Sequence, residues 1–143
     1  MPEFIPLADR FAELDRQFRA LPDPQQRFTV CVDRARVRPL LPDSQRLDSH
    51  RVEGCLVRIW FIPRFEAGRC WFALDSDALT LKAIAGLLCE LYNGCTPEEI
   101  LQHPEGLPEE WRISIQLAEN RRKTVGRIRD AILEFARQHL DVR

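Results

Sequence analysis

Two short apolar runs near the middle of the chain constrain its fold more than any other feature. They cover residues 57–62 and 70–74 and are rich in the β-branched and aromatic side chains that strands prefer. The turn-forming segment Glu66-Ala67-Gly68 lies between them, so the pattern predicts a β-hairpin. The segment from Arg46 to Glu53 is predicted to add a short third strand in front of the hairpin.

Helical patterns occupy much of the rest of the chain. Apolar residues recur at steps of three and four from Leu7 to Leu21, and Asp23-Pro24 is a favourable start for a second helix. A long apolar helix is predicted from Ala78 to Tyr92, with Asp75-Ser76-Asp77 as its cap. Thr96-Pro97-Glu98-Glu99 has the pattern of a capping box and predicts a fourth helix.

A final amphipathic helix is predicted near the C-terminus, around Ile128 to Ala136. We find no repeat and no linker that would divide the chain. The expected architecture is therefore α+β, a single domain over residues 1–143 in which a small three-stranded antiparallel meander packs against several helices.

The charge balance argues against two classes of partner. The chain carries 21 basic and 22 acidic side chains, a formal net charge of -1. This gives no electrostatic basis for binding nucleic acid or an anionic membrane. No apolar run approaches the roughly 20 residues needed to span a bilayer. The N-terminus, Met1 to Pro6, lacks the basic and apolar stretches of a signal peptide, so we expect a cytoplasmic location.

The five cysteines are spaced irregularly, at positions 31, 55, 70, 89 and 95. They include no CxxC pair, so the spacing predicts no metal site and no disulfide framework. Most of them are expected to be small buried side chains, as free cysteines usually are. Convergence of Cys55, Cys70, Cys95, His50 and His103 on a metal stays open as an alternative.

Cys55 differs from the others because it directly follows Gly54, at the entrance to the first apolar run. Glycine allows a sharp turn, on which a thiol can meet another molecule. The alternative is a small side chain that fills space at a strand end. His50 lies five residues earlier and is either a surface residue or a group that lowers the pKa of the thiol.

A Cys–His hydrolase is also compatible with these two residues. Such an enzyme would require a carboxylate or amide to orient the imidazole, and an oxyanion hole. Asp75 and Asp77 are available, but their spacing assigns neither. Arg121-Arg122-Lys123 forms a local basic run at the start of the last helix. Because cations are unfavourable at a helix N-terminus, we expect a role for at least one of the three.

The order and spacing of several motifs resemble the SufE family of sulfur acceptors in iron–sulfur cluster assembly. The matching segments are Gly54-Cys55 followed by Ile59-Trp60, then Asp75-Ser76-Asp77-Ala78, Thr96-Pro97-Glu98-Glu99-Ile100 and Leu117-Ala118-Glu119-Asn120-Arg121. The chain departs from the family pattern at His50, where the family usually has asparagine, and at Val57, where it has serine. Near the end, Glu119-Asn120 replaces the family's Pro-Ser, and the glycine after the arginine is displaced to Gly126.

The resemblance implies a SufE/NifU-like fold and a persulfide carried on Cys55. Gly54, His50, Asp77 and Arg121 would support that cysteine. The implied partners are a cysteine desulfurase, which donates sulfur and is stimulated, and an iron–sulfur scaffold or other acceptor, which receives it. No cofactor and no metal are expected, and a homodimer stays open. The alternative functions are a scaffold that holds a metal or iron–sulfur cluster through several cysteines, and a Cys–His hydrolase.

Overall fold

The predicted hairpin lies at one side of the domain. A computed structural model describes residues 4–52 and 57–140. Strands β1 (Ile59–Glu66) and β2 (Arg69–Ser76) pair antiparallel, with Ile59 opposite Ser76 and Glu66 opposite Arg69. Ala67 and Gly68 connect them with φ angles of 52° and 77°. Two consecutive positive φ values are typical of the tight hairpin turn whose twist matches that of the strands.

The predicted third strand is wrong. Within the described part of residues 46–53, Asp48–His50 forms a 3-10 turn, and only Arg51 makes a bridge, opposite Trp60. The N–H of Val52 donates to the carbonyl of Ile59 at 2.9 Å. Aspartate and serine in this segment favour local turns over strand pairing. The described sheet therefore has two strands.

The described part of the chain also contains five α-helices. Their bounds are α1 (Leu7–Arg19), α2 (Pro24–Val37), α3 (Leu79–Tyr92), α4 (Pro97–Leu101) and α5 (Glu119–Gln138). The side chain of Asp23 caps α2 and that of Thr96 caps α4, as predicted. The predicted side-chain cap of α3 is wrong, because the cap residue is Ala78, which has no side-chain acceptor. The Ser76 hydroxyl oxygen accepts from the N–H of Ala78 itself, at 3.2 Å.

Helix α3 forms the centre of the core. Ten of its 14 residues are buried, which confirms that an almost wholly apolar helix takes the most enclosed position. One side of the core lies between α3, α5 and the sheet, and the other lies between α3, α1 and α2. This packing fixes the junction between β2 and α3, where the Asp-Ser-Asp motif lies. None of the described helices is both long and apolar enough to cross a membrane.

Candidate functional site

Residues 53–56, which include Gly54 and Cys55, lie outside the described residues. The exposure and surroundings of the Cys55 thiol therefore stay predictions. The structure describes the chain on either side of this segment and the residues that bind those flanks. The candidate site is built here from those flanks, residues 46–52 and 57–58, and from the β2–α3 junction.

Two arginines, one on each side of the 53–56 segment, lie against the same tryptophan. The guanidinium carbons of Arg46 and Arg58 are 5.4 and 5.3 Å from the centre of the Trp60 ring. Cations at this distance are attracted by the ring electrons. Trp60 itself is 3% exposed, so it belongs to the core and is not a binding platform.

Asp75 anchors the first of these arginines. Its carboxylate is 2% exposed and accepts hydrogen bonds from Arg46 and, at 2.8 Å, from the N–H of Ser76. The Lys82 ammonium lies 3.1 Å from Oδ1, the oxygen that also accepts from Ser76. Burial by itself raises the pKa of Asp75, but the Ser76 N–H, Lys82 and Arg46 outweigh it, and the net pKa is lowered. The carboxylate is thus held in its charged form.

Ser76 and Asp77 bind the second arginine. The Arg58 Nε donates to the Asp77 carboxylate at 2.6 Å, and the carbonyl of Arg58 accepts from the Ser76 hydroxyl at 2.7 Å. The N–H of Asp77 also donates to that carbonyl, at 3.2 Å. The Asp-Ser-Asp motif therefore binds both flanks of the 53–56 segment, one through Asp75 and the other through Ser76 and Asp77.

Arg121 reaches the same junction from the start of α5. Its guanidinium donates to the Thr80 hydroxyl at 2.8 Å, in the first turn of α3. Arg122 instead donates to the carbonyl of Leu117, and Lys123 lies on the surface, 3.9 Å from Glu119. One residue of the basic run thus has a contact near the site, while Asp77 pairs with Arg58 and not with Arg121.

His50 lies at the end of the 3-10 turn that precedes Arg51. Its Nδ1 is 3.1 Å from the carbonyl oxygen of Gln45. The two carboxylates considered for a hydrolase are engaged by cations, Asp75 by Arg46 and Lys82 and Asp77 by Arg58. The described contacts therefore give His50 no orienting carboxylate.

The four described cysteines are all free and buried, as predicted for most of the five. Burial raises the pKa of Cys31, Cys89 and Cys95 to about 12 and that of Cys70 to about 11. These thiols stay protonated near neutral pH and are poor nucleophiles. In residues 4–52 and 57–140, no three histidine, cysteine or acidic side chains converge as a metal site.

The arginine arrangement at this site was not predicted from the sequence. Arg46, Arg58 and Lys82 were not singled out, although each binds the Asp-Ser-Asp motif. The sequence offers little signal for these pairs, because Arg46 lies 29 residues before Asp75 and Arg58 lies 19 residues before Asp77.

A two-stranded hairpin backed by helices, with an acidic motif that binds both flanks of a Gly-Cys segment, defines a small α+β protein with one distinctive cysteine. The family model for SufE, the Fe-S metabolism associated domain, matches residues 12–136. The chain belongs to the SufE family, as its motifs indicated.

Relatives with curated names support this assignment. SufE-like protein 2, chloroplastic, of Arabidopsis thaliana is 32% identical over 66% of this chain and 37% of its own length. An uncharacterized SufE-like protein of Synechocystis sp. is 24% identical over 80% of this chain and 72% of its own. A chloroplastic quinolinate synthase of Oryza sativa is 34% identical over 68% of this chain. The chain spans only 14% of that synthase, so the similarity concerns one part of it.

A solved structure confirms the fold. The solution structure of a hypothetical protein from Thermus thermophilus matches with a TM-score of 0.74 and 24% identity, covering 96% of this chain and 98% of the other. At this identity the match establishes the SufE-like α+β fold and nothing further.

Proposed function

We propose that this protein accepts sulfur from a cysteine desulfurase as a persulfide on Cys55, stimulates the desulfurase and relays the sulfur to an iron–sulfur cluster scaffold. Membership of a family of iron–sulfur metabolism carries the proposal. The position of Cys55 in the sequence, between two flanks bound by one acidic motif, supports it.

The transfer is a thiol exchange that requires little from the acceptor. The Cys55 thiol loses its proton, and the thiolate attacks the terminal sulfur of the donor's persulfide. The sulfur–sulfur bond of the donor breaks, and the donor cysteine leaves as a thiolate that takes up a proton. No electrons are gained or lost overall, so the step requires neither a redox cofactor nor a bound metal.

The burial of the four described cysteines supports the choice of Cys55 as the sulfur acceptor. Cys31, Cys70, Cys89 and Cys95 are buried, and burial raises the pKa of each above that of a free thiol. A docked desulfurase cannot reach such a thiol without opening the core. The acceptor is therefore assigned to the remaining cysteine.

The supporting residues divide by what they bind. Asp77 holds the flank that follows Cys55 through Arg58, and Arg121 holds the start of α3 through Thr80. We propose that Gly54 allows a sharp turn of the chain next to the thiol, because glycine adopts positive φ angles without steric cost. We propose that His50, on the flank before Cys55, lowers the pKa of the thiol.

The cytoplasmic location and the partners remain part of this proposal. The desulfurase and the scaffold are protein partners, and the near-neutral charge balance supports neither nucleic acid nor membrane as a third. Two of the named relatives are chloroplastic, so an organelle is the alternative location.

The test is incubation of the purified protein with a cysteine desulfurase and cysteine. We expect the intact mass to gain one sulfur atom and the desulfurase rate to rise, and both effects to be lost in Cys55→Ser. Cys31→Ser is the matched control, because it removes a buried thiol and leaves Cys55 in place. Normal sulfur uptake and stimulation by Cys55→Ser would overturn the proposal.

A further inference from the structure

We propose that Asp75 is a positioning residue for sulfur transfer and acts through Arg46 on the flank that leads to Cys55. This inference rests on the proposed function, because it concerns the same reaction. It concerns how one flank of residues 53–56 is held, and it assigns a task to a carboxylate that sequence analysis left without one.

Asp75 joins parts of the fold that are separated along the chain. Asp75 lies at the end of β2, next to the start of α3, whereas Arg46 lies 29 residues earlier in an irregular segment. Lys82, one turn into α3, contacts the same carboxylate at 3.1 Å. Because β2 and α3 belong to the core, they hold the Asp75 carboxylate in place. The carboxylate in turn holds the Arg46 guanidinium in place.

Few other bonds hold this flank, residues 46–52, to the sheet. Its backbone pairs with β1 through the single bridge of Arg51 and Trp60 and the hydrogen bond from Val52 to Ile59. Pro63 has no N–H, so pairing along that edge of β1 cannot extend far. The contacts of Arg46 with Asp75 and with the Trp60 ring are therefore a large part of what orients the flank.

The ion pair that binds the other flank is more exposed. The Arg58–Asp77 pair joins side chains that are 58% and 43% exposed, so water and salt screen it. The Asp75 carboxylate is enclosed, and its contact with Arg46 is screened less. The Asp75–Arg46 contact is therefore the less screened of the two ion pairs that bind the flanks of residues 53–56.

The chain contains a matched control. Glu90 also accepts hydrogen bonds from two cations, Arg34 and Arg38, and ties α2 to α3. It makes no contact with the flanks of residues 53–56 in the described part of the chain. Asp75→Asn and Glu90→Gln each remove one negative charge from a carboxylate that binds two cations, although the Glu90 side chain is 36% exposed and the Asp75 side chain 3%. Only the first substitution changes a contact of the flank.

Two measurements separate positioning from general stability. The first is the rate at which iodoacetamide alkylates Cys55 in the full chain, read from the tryptic peptide Val52–Arg58, with no partner present. The second is the dependence of the desulfurase rate on the concentration of this protein, which gives an apparent KM and a kcat.

We expect Asp75→Asn to raise the alkylation rate of Cys55 about threefold or more, because the flank is no longer held in one arrangement. We expect its apparent KM to rise about five- to tenfold with kcat nearly unchanged, since misplacement of the acceptor weakens productive docking. Arg46→Gln should reproduce both effects and Arg46→Lys should restore most of the loss, while Glu90→Gln should match the unmodified protein.

Equal behaviour of Asp75→Asn and Glu90→Gln in both measurements would overturn the inference. If Asp75→Asn does not fold, the half-exposed Arg46 supplies the decisive pair, and equal behaviour of Arg46→Gln and Arg46→Lys would overturn it. If the unmodified protein takes up no sulfur, the proposed function fails. The alkylation comparison then still decides whether Asp75 positions the flank.

Discussion

Asp75 and Asp77 stand two residues apart in one motif and both bind an arginine, yet they differ in their surroundings. Asp75 is enclosed between β2, α3 and Arg46, and Lys82 and the Ser76 N–H share its charge. Asp77 lies at the surface and pairs with an arginine that is mostly exposed. Because burial sets how far water and salt screen an ion pair, we expect the loss of Asp75 to cost the protein more stability than the loss of Asp77.

The largest expected difference is in stability. Asp75→Ala leaves Arg46 and Lys82 without their shared carboxylate, and we expect it to lower the free energy of unfolding by about 2–3 kcal/mol, below the range for fully buried pairs because Arg46 is partly exposed. Urea denaturation at neutral pH measures this value. A loss no greater than that of Asp77→Ala would remove the distinction between the two ends of the motif.

The dependence of stability on acidic pH tests the same difference between Asp75 and Asp77. The folded-state pKa of Asp75 is lowered, so its contribution is fully present above the unfolded pKa of about 3.9 and is lost as pH falls through the folded value. We therefore expect stability to fall less steeply on acidification in Asp75→Asn than in the unmodified protein. Denaturation midpoints measured at a series of acidic pH values check this, with Asp77→Asn as the control. Parallel curves for all three proteins would contradict it.

A smaller effect is expected from Arg121. Arg121→Ala removes the hydrogen bond to the Thr80 hydroxyl, which is worth about 1 kcal/mol. Thr80→Val should lose a similar amount, and the double variant should lose little more than either one, because both changes delete the same bond. Thermal denaturation of the three variants measures this coupling. Additive losses would show that the two residues stabilise the junction independently.

The smallest effect is expected at the exposed end. Asp77→Ala should cost about 0.2–1 kcal/mol, as exposed ion pairs usually do. The loss should shrink further when salt is raised, because the charges are screened. Denaturation at low and high ionic strength measures both values. A large loss that is insensitive to salt would contradict the distinction between the enclosed and the exposed ion pair.

Much of the fold was predictable because it follows from local patterns. The apolar periodicity of α1, the caps at Asp23 and Thr96 and the hairpin turn at Ala67-Gly68 are each encoded within a few residues. The third strand was wrong because residues 46–52 contain side chains that favour turns. A single bridge to Trp60 is all that their pairing with β1 provides.

The candidate site was predictable only in part. The Asp-Ser-Asp motif was recognisable, but its partners Arg46 and Lys82 lie 29 residues before and seven residues after Asp75, and only the folded chain brings them together. The predicted cap of α3 was wrong for the same reason, because the carboxylates of Asp75 and Asp77 form ion pairs with residues distant in the sequence. Cys55 lies outside the described residues, and its role stays a prediction.

The central claim is that transferred sulfur arrives on Cys55. The most direct test is to load the unmodified protein with a desulfurase and cysteine, alkylate it under non-reducing conditions and map the extra sulfur by peptide mass. Trypsin releases Cys55 alone in the peptide Val52–Arg58, separate from the other four cysteines. The account predicts the added sulfur in that peptide. Sulfur on Cys31, Cys70, Cys89 or Cys95, with none in Val52–Arg58, would contradict it.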